Sequence, residues 1–179
     1  MEYYHAVSSR RSIRKYRPDP VPPQALHRIF EAVREAPSAK NIQPWKFILV
    51  RDPETRKRLV EACNKQAFLA EAPLVVVACG WPAQAYHRMG GSLSSLPIDL
   101  GIAMEHLVLA ATAEGLGTCW IGAFTESAVK EILQVPPEIS VVALTPLGLP
   151  AEVPAPRPRK PLAEIVAWET WDGKTGLAH

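Results

Sequence analysis

The chain has 179 residues, 47% of them hydrophobic, with 20 Lys and Arg against 18 Asp and Glu, which is material for one domain with a substantial core and excludes intrinsic disorder. A formal charge of +2 excludes a global field for nucleic acid or a membrane surface, so any basic site must be local. Three cysteines, Cys63, Cys79 and Cys119, are odd in number and too widely spaced for a ligand pair, which excludes a disulfide framework and a zinc knuckle. The N-terminus, MEYYHAVSSRRSIRKY, lacks the apolar core of a signal peptide, and the most apolar stretch, Ile98 to Ala113, is broken by Asp99, Glu105 and His106. The expectation is a soluble, cytoplasmic protein.

In chain order, Pro22 and Pro23 suit a first helical turn, and Leu26, Ile29, Phe30 and Val33 follow at the spacing of one helical face, which predicts a helix from about Pro22 to Glu35. Trp45 to Val50 is short, β-branched and aromatic, and is bounded by Pro44 and Asp52-Pro53; it predicts a strand, followed by a helix running through Ala62. Leu74 to Cys79 is a continuous apolar run, as expected of a strand covered on both faces in the middle of a sheet. Pro97 to Glu114 is apolar almost all round, which predicts a helix buried on most faces and makes a second copy of the chain its natural cover. Thr118 to Ile121 and Val141 to Leu149 read as strands separated by a helix from Glu126 to Leu133. Leu162 to Trp171 carries Ile165, Val166, Trp168 and Trp171 without a local partner and is expected to reach over a neighbour. Because helices and strands do not alternate regularly, the pattern predicts an α+β fold, with a central mixed and mainly antiparallel sheet flanked by helices.

Four segments can carry chemistry. Arg10 to Arg17 holds five cations in eight residues, with Ser8, Ser9 and Ser12 beside them; guanidinium forks and hydroxyls are what a phosphate dianion needs, although a solvated basic arm or one lying on nucleic acid has the same composition. Arg157-Pro-Arg159-Lys160 is a second cationic cluster, stiffened by its proline, which reads either as a solubilising tail or as the other half of one anion site. Ala36 to Trp45, APSAKNIQPW, offers Ser38, Asn41 and Gln43 as donors and acceptors for the edge of a heteroaromatic ring, or is simply a loop between helix and strand. Gly115 to Phe124 places Gly122 and Ala123 where a flat ligand can approach the backbone; alone, it reads as a glycine-ended helix and a strand, with Cys119 a small buried hydrophobe. Dinucleotide, P-loop, nucleophile-elbow and zincin motifs are missing, and His5, His27, His87, His106 and His179 include no ligand-like pair, so no metal is expected.

In combination and in order, RRSIR, APSAKNIQPW, EGLGTCWIGAF and PRPRKPL resemble the FMN-dependent nitroreductase family across nearly the whole chain. The resemblance implies a single domain over residues 1–179 and an intertwined homodimer with two FMN sites at its interface, the segment from about 160 to 179 crossing to the partner. It implies a phosphate cradle of Arg10, Ser12, Arg157 and Arg159, with Arg11 acting mainly through its backbone and Arg14 beside the pyrimidine edge. Pro37, Ser38, Ala39 and Asn41 of the partner, with Gln43 behind them, are then expected at the ring and ribityl, and Gly122 and Ala123 at the N5 edge. Asn64 fits the family's ring-contacting Asn to within a single position.

The flavin carries the hydride chemistry, so no acid, base or nucleophile of the protein's own is required. The implied activity is ping-pong: NAD(P)H reduces FMN and leaves, and a nitroaromatic, quinone or related acceptor takes the electrons. Gly80 to Leu96 departs from many relatives and lies where the family often shapes its acceptor pocket. Rival readings are a specialised flavin enzyme of the same fold, dehalogenating or flavin-destroying, a flavin-binding protein without turnover, and a nucleic-acid-binding arm; the expected partners are a second copy and a small acceptor, without nucleic acid or membrane.

Overall fold

The computed structural model describes residues 2–177; His179 and the last two positions of the expected 160–179 arm lie outside the described residues. In chain order the elements are α1 (Tyr3–Ser9), α2 (Pro23–Arg34), β1 (Trp45–Val50), α3 (Pro53–Ala62), α4 (Phe68–Glu71), β2 (Leu74–Gly80), α5 (Leu96–Ala113), β3 (Gly117–Thr118), α6 (Glu126–Leu133), β4 (Ser140–Gly148) and α7 (Leu162–Ile165). The sheet order is β1-β2-β4-β3, with every neighbouring pair antiparallel.

The apolar run of β2 explains the layering. Side chains alternate across a strand, so Leu74, Val76 and Ala78 enter one cluster with Leu26, Ile29 and Val33 of α2 and Leu100, Met104 and Leu107 of α5. Val75, Val77 and Cys79 enter a second cluster on the other face, with Leu59 of α3, Leu69 of α4 and Val129 of α6. The result is three layers around a sheet whose central strand is buried along its whole length.

Local chemistry sets the element ends. Asp52 caps α3 by accepting from the Thr55 amide at 2.7 Å, Pro23 opens α2, and Gln134 closes α6 in the left-handed region. Helix α5 is 18 residues long with a mean hydropathy of 1.4, the length and composition of a membrane span. It nonetheless packs as a core helix, with Leu100, Ala103, Met104, Leu107 and Ala111 fully enclosed.

The strand expected over Thr118 to Ile121 is shorter than its pattern suggests. After Thr118 the Cys119 amide donates to the Thr145 hydroxyl at 3.1 Å instead of to a strand carbonyl, and pairing resumes only at Ile121, whose amide reaches the Leu144 carbonyl at 2.8 Å. Helices α1 and α4 lack a sequence signal, because seven and four residues carry too little periodicity to register; α1 buries only Ala6.

Beyond β3 the N-terminal segment completes the sheet. Ser12 bridges Thr118 in the parallel sense, the single parallel pairing among the described residues, and Tyr16 bridges Pro150. The Ile13 amide donates to the Thr118 carbonyl at 2.8 Å, the Arg17 amide to Leu149 at 2.9 Å, and the Ala151 amide to Lys15 at 2.9 Å. This close approach needs glycine at 117: a Cβ there would lie 2.6 Å from Ile13 Cγ1. Gly117→Ala is therefore expected to cost about 1–3 kcal/mol through overpacking against Ile13. Thermal unfolding checks this, at roughly 2–4 °C of Tm per kcal/mol, and an unchanged Tm would refute the packing account.

Candidate functional site

The segment after α1 is pinned to the sheet edge through Ile13 and Arg17, and the chain leaving β4 returns along it through the Ala151 amide and a Lys15–Glu152 ion pair. The hydrogen bond and charge of Glu152 raise the Lys15 pKa above its ordinary value. These ties force both cationic clusters into one place. A cavity of about 410 Å³ is lined by Ser8, Arg10, Arg11, Ser12 and Arg14 from one end of the chain and by Pro154 to Arg157 and Arg159 from the other. Among the described residues its wall contains five arginines and no carboxylate. Converging like charges in a concave site repel one another and focus a positive field, which an anion relieves.

Several of these cations are pre-arranged. The Arg11 guanidinium turns back and donates to the Ser8 carbonyl at 2.7 Å and the Arg10 carbonyl at 2.8 Å, so its side chain is engaged by its own backbone. Arg14 lies over the Phe68 ring, 5.9 Å from its centroid, and Arg159 donates to the carbonyls of Arg157 and Pro158 at 3.2 and 3.3 Å. Beneath the cavity, burial raises the Cys119 thiol pKa, opposed by Arg14, Ser12 and Arg10. Burial likewise pushes Cys63 and Cys79 up to about 11, so all three thiols are protonated near neutrality.

The other expected residues do not line this cavity. Pro37, Ser38, Ala39, Asn41 and Gln43 form a separate tight loop between α2 and β1, in which Lys40, Asn41 and Gln43 have φ of 53°, 55° and 53°. Left-handed backbone at non-glycine residues is costly and persists only where surroundings enforce it. Here the Gln43 amide donates to Ser38 Oγ at 2.9 Å, the Gln43 side-chain amide donates to Asn41 Oδ1 at 3.0 Å, and the Ala39 amide donates to Asp99 Oδ1 at 2.9 Å.

Gly122 and Ala123 form an exposed strip after β3, and a Cβ on Gly122 would meet nothing nearer than Trp120 Nε1 at 3.9 Å, so the approach to its backbone is open. Asn64 is exposed in the left-handed region at the end of α3. Its neighbour Gln66 donates to the Ala123 carbonyl at 3.2 Å and the Cys63 carbonyl at 2.9 Å, tying the Asn64 turn to the Gly122 strip.

Sequence reasoning missed Asp99 and Ser95. Asp99 registers only as a charge interrupting an apolar helix, and nothing local shows that its carboxylate reaches a loop sixty residues earlier. Its position in the first turn of α5 is the available signal.

Residues 7–149 match the model of the nitroreductase family. The chain is 34% identical to an NADH dehydrogenase of Thermus thermophilus, over 91% of this chain and 94% of that protein. It is 30% identical to an FMN reductase [NAD(P)H] of Bacillus subtilis, over 95% of this chain and 74% of that protein. Among solved structures, a nitroreductase family protein from Clostridium difficile superposes with a TM-score of 0.86 at 27% identity, covering 95% of this chain and 99% of the other. With the family model spanning both the pinned cationic segment and the Gly122 strip, and with that fold matched along its length, the chain belongs to the nitroreductase family.

Proposed function

We propose that this chain is an FMN-dependent NAD(P)H oxidoreductase that reduces nitroaromatic, quinone or related acceptors and works as a homodimer. The observation that carries this reading is the cavity in which, among the described residues, five arginines from two remote stretches of the chain meet without a carboxylate. Its donor set fits a phosphate monoester: Arg10, Ser12, Arg157 and Arg159 would hold the phosphate, Arg11 would contribute its backbone, and Arg14 would lie along the pyrimidine edge.

When bound, FMN supplies the hydride chemistry between nicotinamide and acceptor. The chain's own residues bind, orient and polarise. A cation at Arg14 would favour negative charge on the pyrimidine side, and the unobstructed backbone at Gly122 would offer a donor to the N5 edge. Gln66, two residues beyond Asn64, donates to the Ala123 carbonyl, which supports a shared role of the Asn64 turn and that strip.

Pro37, Ser38, Ala39, Asn41 and Gln43 are absent from the cavity wall of their own chain, which suits a loop that completes the site of a second copy. Large apolar side chains left exposed on α1 (Tyr3, Tyr4, Val7), on α5 (Ile98) and on the C-terminal segment (Leu162, Ile165, Trp168, Trp171) are the material for that interface. Trp171 is 94% exposed, far more than a tryptophan held within its own chain.

Purified protein is expected to show a flavin absorption spectrum that bleaches on anaerobic addition of NADH or NADPH and recovers with a nitroaromatic or quinone; a colourless protein that neither binds FMN nor bleaches would overturn the reading. Arg159→Ala is expected to remove a charge-assisted contact of about 1.5–3 kcal/mol, weakening FMN affinity roughly 10- to 150-fold. Fluorescence titration with unchanged Tm checks it, and wild-type affinity would remove Arg159 from the phosphate site. Dilution followed by light scattering and flavin fluorescence is expected to release FMN together with the second subunit, whereas a monomer that keeps its flavin would exclude the shared site.

A further inference from the structure

Asp99 and Ser95 are the most deeply buried polar pair of α5, 2% and 0% exposed. A carboxylate is almost never so enclosed without partners, and here one partner lies sixty residues away while the other, Ser95, leads on to Tyr86. Asp99 Oδ1 accepts from the Ala39 amide at 2.9 Å, in the strained 38–43 loop. Asp99 Oδ2 accepts from the Ser95 hydroxyl at 2.6 Å, and Ser95 Oγ accepts in turn from the Tyr86 amide at 3.1 Å, while the Ser95 amide donates to the Tyr86 carbonyl at 2.7 Å. Outside, the circuit closes a second time: the Lys40 ammonium lies over the Tyr86 ring, 4.8 Å from its centroid.

Two features of this arrangement run against what would best stabilise the helix. Ser95 stands at the N-cap of α5, where a serine hydroxyl ordinarily accepts from an amide of the first turn and contributes about 1 kcal/mol, yet it makes no such bond and is diverted to Asp99 and Tyr86. Asp99 also buries a charge whose direct partners are one amide and one hydroxyl, where an apolar residue of similar size commonly stabilises a core as well or better. Its place in the first turn of α5 lets the helix dipole offset part of that cost.

We propose that Asp99, with Ser95, is a positioning residue that locks the 38–43 loop to the 81–95 segment, so that the two stretches keep one fixed relation and respond together. This rests on the flavin reading for its consequence and on the hydrogen-bond circuit for its mechanism. The left-handed conformations of Lys40, Asn41 and Gln43 are then held from beneath by a group that simultaneously fixes Tyr86.

Ser95→Ala is the discriminating variant, because it removes the hydroxyl that joins Asp99 to the Tyr86 amide, while the main-chain bond from the Ser95 amide to the Tyr86 carbonyl and the Asp99–Ala39 bond stay chemically possible. Amide exchange of peptides covering 36–44 and 81–95 is compared with wild type, with and without added FMN. The expected result is exchange faster by about tenfold or more in both segments, beyond what any fall in global Tm accounts for, with a rise in FMN dissociation constant and in acceptor KM and little change in kcat. Faster exchange confined to 81–95, with 36–44 and FMN affinity as in wild type, would overturn the coupling. Asp99→Asn keeps the shape and one acceptor, and is expected to loosen both segments to an intermediate degree; an effect on 36–44 alone would also overturn it. Because exchange is read without flavin as well, a protein that binds no FMN would refute the functional reading and leave the coupling decided separately.

Discussion

The constraint on which the structure depends is the forced meeting of like charges at one edge of the sheet. Backbone hydrogen bonds from Ile13 and Arg17 lay the N-terminal segment against β3 and β4, and the Ala151 amide lays the chain beyond β4 back along Lys15. Neither tie involves a guanidinium. The arginines are carried together by main-chain pairing and by the glycine at 117 that permits it, and their mutual repulsion is charged against the fold. Among the described residues the cavity wall holds five arginines and no carboxylate, a donor set whose repulsion an anion would relieve.

The three-layer core makes that possible by rigidity. Period-two alternation along β2 feeds two separate hydrophobic clusters, one under α2 and α5 and one under α3, α4 and α6, so the sheet edge bearing the cavity is clamped from both faces. The same core presents the N-terminal end of α5 to the 38–43 loop. Asp99 emerges there from the first turn of a helix apolar on most of its faces and accepts from the Ala39 amide of the loop. The molecule thus has a cationic cavity lined from two remote stretches of chain and a loop held by a buried carboxylate, each imposed by packing that lies behind it.

Much of the fold was legible in the residues. The pattern of α2, β1, α3, α5, α6 and β4 locates each of them to within about a residue of its observed limits, since hydrophobic periodicity and proline or Asx end signals are local properties. Legibility failed where the deciding interaction was not local. Nothing in Thr118 to Ile121 announces that the hydroxyl of Thr145 will intercept the Cys119 amide, and nothing in α1 marks seven residues with one buried alanine as a helix.

For the site the division falls in the same place. The sequence by itself determined which chemistries are available: two cationic clusters with hydroxyls, a loop of amide side chains, a glycine strip, and no nucleophile or metal-ligand motif, because residue type and short spacing suffice to state them. Only the tertiary structure decided that residues 10–14 and 157–159 line one cavity, that the 37–43 loop stands apart from it, that Gln66 holds the strip at Ala123, and that Asp99 reaches Ala39 and Ser95 reaches Tyr86. Each of those depends on contacts between segments far apart in the chain, and their separation in space is set by the summed packing of the core, which no short stretch of residues encodes.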